Sequence, residues 1–192
     1  MTTATVRDGD LFENTHRYAI LVQQCNCVTT KAHGLSLDIA RTFGSYANPY
    51  AKRRNMGQHA NLANPWDRPD PGTVELLRDE NDPSHPVVAC VYGQWSPGAL
   101  TSASLPSAYP LAPGETSTET ALLRERWFSM GLAQLAERVR ERFHEPVTIA
   151  FPYHIGCGLA GGDWSKYSAI IAGFADEVRR CGHEVVIYRK RV

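Results

Sequence analysis

A surplus of positive charge is missing from this 192-residue chain, in which 20 Lys+Arg balance 20 Asp+Glu. Binding nucleic acid through bulk electrostatics needs such a surplus, so nucleic acid is not an expected partner. A long apolar run is missing too. Nothing approaches the roughly 20 residues a membrane span requires, so no membrane partner is expected. The opening MTTATVRDGD lacks the basic start and apolar stretch of a signal peptide, which reads as a cytoplasmic protein. Cysteine is sparse and odd in number, with Cys25, Cys27, Cys90, Cys157 and Cys181, which argues against a disulfide framework. No second Cys/His pair follows Cys25-x-Cys27 at zinc-finger spacing, so no metal is expected and these thiols are read as buried. An apolar fraction of 43% with 21% charged residues excludes wholesale disorder, and the length suits one domain, 1–192.

Short apolar runs alternate with helical patterns. Tyr18–Gln24, Val87–Tyr92, Val147–Phe151 and Glu184–Tyr188 are rich in β-branched residues and predict strands, with Thr3–Arg7 and Thr73–Leu77 as weaker candidates. Runs this continuously apolar are expected where helices cover both faces of a sheet. Thr116-Ser117-Thr118-Glu119 offers a capping box for a long helix reaching about Phe143. Its apolar stripe is Leu123, Trp127, Met130, Leu132, Leu135, Ala136, Val139 and Phe143, and its interleaved Arg and Glu residues read as a solvated face. A second helix starts at the N-cap Asp163, carries Tyr167, Ile170, Ile171, Phe174, Val178 and Cys181 on one stripe, and stops at Gly182. A short helix covers Leu35–Phe43. This order of elements predicts an α/β sandwich. Two stretches, about 44–72 and 93–115, match no regular pattern, and loops of such length tend to carry function. The first holds Tyr50, Lys52, Arg53, Arg54, His59 and Trp66 and reads as a lid or a contact for a protein substrate. Trp95, in the second, either stacks on a ligand or anchors its loop.

The most informative segment runs from Phe151 to Trp164. A strand enters four glycines within seven residues (Gly156, Gly158, Gly161, Gly162) and passes into a capped helix. Glycine permits positive φ and lets a ligand approach the main chain with no Cβ in the way. Successive N–H groups beside a helix N-terminus make a site for an anion, most naturally a phosphate or diphosphate. Gly162-Asp163-Trp164 is not the Gly-Lys-Ser/Thr of a Walker loop, and the turn precedes the last helix rather than the first. A glycine-rich connection without a ligand remains the alternative. Asn26, between Cys25 and Cys27 at a strand end, either caps a turn or faces a ligand. Asp10, after Gly9, either caps a turn or accepts a hydrogen bond from an exocyclic amine.

Gly9-Asp10-Leu11, Asn26 with the loop behind it, and Ile155-Gly156-Cys157-Gly158-Leu159 leading to Asp163-Trp164 together resemble the macro domain family, whose members bind ADP-ribose. The likeness is greatest to the branch related to terminal ADP-ribose protein glycohydrolases and ADP-ribose phosphate phosphatases. It implies a three-layer α/β/α sandwich with a central mixed sheet. It also implies ADP-ribose as ligand or product, mono-ADP-ribosylated proteins as partners, and no cofactor. By position, Asp10 would accept from the adenine amino group and Leu11 would line the base pocket. Asn26 would bind the distal ribose, and Ala32, Gly34 and Leu35, in the segment ending at Ser36, would wrap that ribose and one phosphate. Ile155, Gly156, Cys157, Gly158 and Leu159 would cradle the diphosphate.

The related glycohydrolases use a lysine after the fourth strand and an aspartate after Gly-x-Gly-Leu, and the corresponding positions here are Gln94 and Ala160. Neither carries an amine or a carboxylate, which closes a Schiff-base route. Another hydrolase branch uses an aspartate where this chain has Ser36. The candidates left for chemistry are Asn26, His33, Ser36 and Asp38, with His33 suited to acid–base work and Asp38 to holding a water. His154 would fix the diphosphate loop, and Lys31 either touches phosphate or is solvated. A substrate-assisted mechanism suits so few groups, the protein supplying geometry and electrostatics. Three functions follow: removal of mono-ADP-ribose from proteins at acidic-residue esters, dephosphorylation of ADP-ribose 1″-phosphate, and recognition without turnover.

Overall fold

A computed structural model describes residues 4–100, 105 and 117–190. Its strands are β1 (Ala4–Asp8), β2 (Ile20–Asn26), β3 (Asn55–Met56), β4 (His59–Ala63), β5 (Val74–Leu77), β6 (Val87–Gln94), β7 (Thr148–Pro152) and β8 (Glu184–Arg189). Six of them form a sheet in the order β1-β8-β7-β2-β6-β5, and β3 pairs with β4 in a separate hairpin. All pairings in the large sheet are parallel except β5 with β6.

Both faces of this sheet are apolar, which is why its strands read as near-continuous hydrophobic runs. Along β6, Val87, Ala89 and Val91 pack on one side while Val88, Cys90 and Tyr92 pack on the other. Helix α1 (Leu35–Phe43) lays Ile39 and Phe43 on the second side. Helices α2 (Ala121–Arg142) and α3 (Trp164–Arg179) cover the first with Phe128, Leu132, Leu135, Ile171 and Phe174. Each such side chain, fully buried, contributes roughly 1.5–3 kcal/mol. The result is the expected three-layer α/β/α sandwich around a mixed sheet.

Several boundaries differ from the sequence reading. Strand β2 starts at Ile20, because the Tyr18 ring is buried and its hydroxyl donates to the Leu11 carbonyl at 3.0 Å. Helix α2 is capped by Thr120, whose hydroxyl accepts from Leu123 N at 3.2 Å, rather than by the box around Thr116, itself outside the described residues. Met130 is 42% exposed, off the packed stripe. Cys181 lies exposed beyond the end of α3, in a turn closed by Gly182 N donating to Arg179 O. Cys25, Cys27 and Cys90 are buried, as read. The stretch 44–72 carries 3-10 turns at Ser45–Ala47 and Pro65–Asp67 and the β3–β4 hairpin, tied to Thr29 through Leu62. Of the stretch 93–115, residues 101–104 and 106–115 lie outside the described residues. Among the described residues, no helix is long and apolar enough to cross a membrane.

The strand order places the site. The chain leaves β2 towards β6 on one side and leaves β7 towards β8 on the other. Loops at the carboxyl ends of β2 and β7 therefore diverge, and a crevice opens between them, as in other parallel sheets whose strand order reverses.

Candidate functional site

A cleft of about 370 Å³ occupies that switch point, within the ~300–1,000 Å³ typical of small-molecule sites. Its floor is made by strand ends: Asn26 closes β2, Gln94 closes β6 and Pro152 closes β7. His33, Gly34, Leu35 and Ser36 form one wall, and the turn after β7 forms the other. A hollow of about 540 Å³ also lies between β1 and α3, but it sits on the flank of the sheet and is crossed by the Arg189–Asp8 ion pair at 2.7 Å. The smaller cleft is the better candidate because strand carboxyl ends and free backbone groups converge on it.

The fold brings together Asn26, His33, Gly34, Leu35, Ser36, Ile155, Gly156, Gly158 and Leu159 in the cleft lining. Asp10, Leu11, Ala32, Asp38 and Cys157 are not in it. Asp38 is exposed in the first turn of α1 and faces Arg41 at 3.9 Å, so it holds no water for the cleft. Ala32 and Leu11 pack against the core on the α1 side. Cys157 turns inward, its thiol donating to the Ile155 carbonyl at 3.3 Å, and burial pushes its pKa up to about 11. It is therefore a thiol at neutral pH, with little thiolate for nucleophilic chemistry. Iodoacetamide at pH 7.5 is expected to label the exposed Cys181 well before Cys157; preferential labelling of Cys157 would contradict this burial.

Asp10 is occupied locally. One carboxylate oxygen accepts from Phe12 N at 2.8 Å and the other meets Lys190 Nζ at 2.7 Å, and these contacts, Lys190 first, hold its carboxyl below the ordinary value of 3.8. A depressed folded pKa gives stability that is present above 3.8 and is lost as pH falls through the folded value. Asp10→Asn should accordingly narrow the stability gap between pH 6 and pH 3. Urea midpoints that change in parallel for both proteins would show that the pair contributes nothing to acid sensitivity.

Asn26 is fixed by the turn it caps. Its Oδ1 accepts from Val28 N (3.1 Å), Thr29 N (2.8 Å) and Thr29 Oγ1 (2.9 Å), which uses up its acceptor capacity. Only its amide N–H groups remain, one of them 3.4 Å from Tyr50 Oη. Asn26 thus orients and donates, and it cannot take a proton. Arg53, 9% exposed, holds this turn from below by donating to Asn26 O (3.1 Å) and Thr29 O (2.8 Å). Neither Tyr50 nor Arg53 stood out in the sequence beyond membership of a basic, aromatic loop. In the structure they are the pillar under Asn26. Trp66 is 91% exposed, and within this stretch Tyr50 is the residue that reaches the cleft.

The glycine-rich turn divides its labour unevenly. Gly156 has φ +73°, and a Cβ there would lie 2.5 Å from the Tyr167 ring and 2.6 Å from Gln24 Oε1. A Cβ on Gly162 would meet Gly156 O at 2.6 Å. These two glycines make room for protein atoms. Gly158 alone in this turn has its Cβ direction open, with nothing within 4 Å. Cys157, Gly161 and Gly162 donate back into the turn. Among the described residues, no acceptor takes the N–H of Gly156, Gly158 or Leu159. Leu159, 71% exposed, reaches across the mouth so that its Cδ1 would touch a Cβ on Gly34 at 3.2 Å.

His154, in the same wall, is the one non-glycine residue with positive φ (+60°) among the described residues, and its ring stacks on Tyr153 at 4.1 Å. Such strain concentrates at sites that clamp ligands. Gln94 is held by Gln24 Nε2 (2.8 Å) and donates to Ser96 O (3.0 Å), which fixes its amide. Trp95 is buried and anchors its loop: its backbone N–H donates to Glu119 Oε1 at 2.7 Å. Glu119 pairs with Arg124 at 2.8 Å, and both side chains are almost wholly buried. Arg124 is thus not on the solvated face that the Arg/Glu pattern of α2 suggested, and Glu119, read as the carboxylate of a capping box, is paired inside instead. One signal was available: Arg124 stands near the amino end of its helix, where the dipole disfavours a cation. Asp163 caps α3 as read, accepting from Ser165 N at 2.8 Å.

A mixed sheet between helical layers, with a cleft at the switch point of its strand order, defines a three-layer α/β/α protein. Its particular fold is that of the macrodomains. The macrodomain of Mycobacterium tuberculosis DarG superposes with a TM-score of 0.61 at 18% identity, over 96% of each chain. The macrodomain of Thermus aquaticus DarG gives 0.60 at 20% identity, over 97% of this chain and 99% of the other. The D40A mutant of the Oceanobacillus iheyensis macrodomain gives 0.58 at 17% identity, over 95% and 82%. Neither a family model nor a curated protein matches the sequence.

Proposed function

We propose that the cleft binds ADP-ribose and that the protein removes mono-ADP-ribose from modified proteins at acidic-residue esters. The observation that carries this reading is the set of unclaimed N–H groups on Gly156, Gly158 and Leu159, beside a cleft whose lining includes no Lys, Arg, Asp or Glu among the described residues. A diphosphate is the anion that backbone amides neutralise without a side-chain cation. The macrodomain fold and the resemblance of Gly9–Leu11, Asn26 and Ile155–Leu159 to ADP-ribose-binding members of that family support it.

In this reading the diphosphate lies on the glycine-rich turn, with Ile155 behind it and Leu159 over it. The distal ribose lies between Asn26, Gly34, Leu35 and Ser36. The adenine lies towards Asp10, displacing the exposed Lys190 ammonium, since a surface ion pair of this kind is worth at most about 1 kcal/mol. Asn26 Nδ2 orients the ribose. The diphosphate positions a water near the anomeric carbon, and His33 and His154 are the cleft's imidazoles available to move its proton. Ester linkages suit this scarcity of functional groups, because their carboxylate leaving group needs little acid assistance.

A second reading, recognition without turnover, is favoured by Gln94 and Ala160, which put an anchored amide and a methyl where the related glycohydrolases carry lysine and aspartate. Two measurements separate these readings. Calorimetric titration with ADP-ribose should give binding, and chromatography after incubation with an ester-modified protein should give free ADP-ribose. Binding without release would leave recognition alone, orthophosphate from ADP-ribose 1″-phosphate would indicate a phosphatase, and absence of binding by the folded protein would overturn the site.

A further inference from the structure

We infer that Arg124 is a positioning residue, a buried cross-brace that sets the distance between the two loops flanking the cleft. Its side chain is 3% exposed, in the first turns of α2. Four of its N–H groups are used: Nε donates to Glu119 Oε1 (2.8 Å), Nη1 to both Gly98 O (2.7 Å) and Ala160 O (3.0 Å), and Nη2 to Ser96 O (3.2 Å). Gly98 belongs to the loop after β6 and Ala160 to the glycine-rich turn, and both line the cleft. A single nitrogen thus spans the opening from beneath. Among the described residues, no other hydrogen bond joins these two loops.

Glu119 completes the brace. Its side chain has no exposure, and its two oxygens accept from Trp95 N (2.7 Å) and Ser96 N (3.1 Å). The loop after β6 is therefore gripped by its amides through Glu119 and by its carbonyls through Arg124. A buried ion pair is seldom the most stable way to fill such a space. A helix start is also an unfavourable place for a cation. What the pair adds is a rigid, planar fork that reaches carbonyls on two separate loops, which lysine cannot reproduce with a tetrahedral ammonium. The separation it fixes decides whether the N–H groups of Gly158 and Leu159 face a ligand that also touches the opposite loop. This last consequence rests on the ADP-ribose reading, whereas the brace itself does not.

The test uses Arg124→Lys in the whole chain, with two readouts. In ligand-free protein, exchange of the hydrogen-bonded amides of Trp95 and Ser96 in one loop and of Cys157 and Gly161 in the other should rise together by about tenfold or more, as expected when a charged hydrogen bond is lost. Exchange in β7 and β8 should stay at the parental rate. The dissociation constant for ADP-ribose, measured on the folded fraction, should rise by about tenfold or more. Glu119→Gln keeps the shape and removes the charge; it should move both readouts in the same direction, and it carries the test if Arg124→Lys does not fold. Exchange that is unchanged, or raised in one loop only, overturns the brace. Loosened loops with parental affinity overturn its role in positioning ligand. If the parental protein binds no ADP-ribose while both loops still loosen in the variant, the brace stands and the functional reading falls.

Discussion

Gly156→Ala is expected to cost roughly 3–5 kcal/mol of folding stability, whereas Gly158→Ala stays within about 1 kcal/mol. The added methyl at 156 would sit 2.5 Å from a ring carbon of Tyr167, a side chain packed beside Phe128 with ring centroids 4.8 Å apart. That ring is 1% exposed and has nowhere to retreat. The backbone at 156 also holds φ +73°, which an L side chain rarely adopts. Gly158 has neither constraint, because its Cβ direction opens on space. Urea denaturation of the two variants checks the contrast, and equal midpoints would mean that the turn relaxes freely. The same geometry makes Gly158→Glu the sharper functional probe: it should fold normally yet lose ADP-ribose binding by at least about tenfold, since a carboxylate would stand where the diphosphate is proposed. Parental affinity in that variant would remove the diphosphate from this turn.

Arg53→Met should produce the second large effect, a loss of about 2–4 kcal/mol together with weakened binding. Methionine replaces the hydrocarbon stem but leaves the carbonyls of Asn26 and Thr29 without the guanidinium that now reaches them. Each buried carbonyl left unsatisfied costs about 1–3 kcal/mol. The guanidinium also lies over the Tyr50 ring at 4.5 Å and near the Tyr92 ring at 5.5 Å, an aromatic sandwich that methionine only partly fills. Among the described residues, no carboxylate forms an ion pair with Arg53, so its charge is set against carbonyls and rings beneath the Asn26 end of the cleft. Loss of that charge should weaken ADP-ribose more than uncharged adenosine. Arg53→Lys, which keeps the charge without the fork, should fall between. Calorimetric titration of ADP-ribose at low and high salt separates the charge effect, which salt screens, from loosening of the turn, which salt leaves in place.

Much of the architecture was readable from residue order. Near-continuous apolar runs in Val87–Tyr92 and Glu184–Tyr188 marked strands buried on both faces, and the spacing of Tyr167, Ile171, Phe174 and Val178 marked a helix stripe, because these patterns follow from backbone geometry alone. The strand-to-glycine-to-helix run after Phe151 was legible for the same local reason. The resemblance to the macro domain family pointed to Asn26, His33, Gly34 and Ser36, and all four line one cleft.

By itself, then, the amino-acid order determined the α/β class, the helix limits near Leu35–Phe43, and the place of the glycine-rich turn. Only the tertiary structure decided that Asp38 faces solvent, that Asp10 is engaged by Lys190, that Gly156 yields its space to Tyr167, and that Arg53, Glu119 and Arg124 are interior groups. The physical reason is range. Periodicity and turn chemistry are fixed by neighbours a few residues away, whereas the burial of a charge or the direction in which a missing Cβ would point depends on which distant loop folds over it.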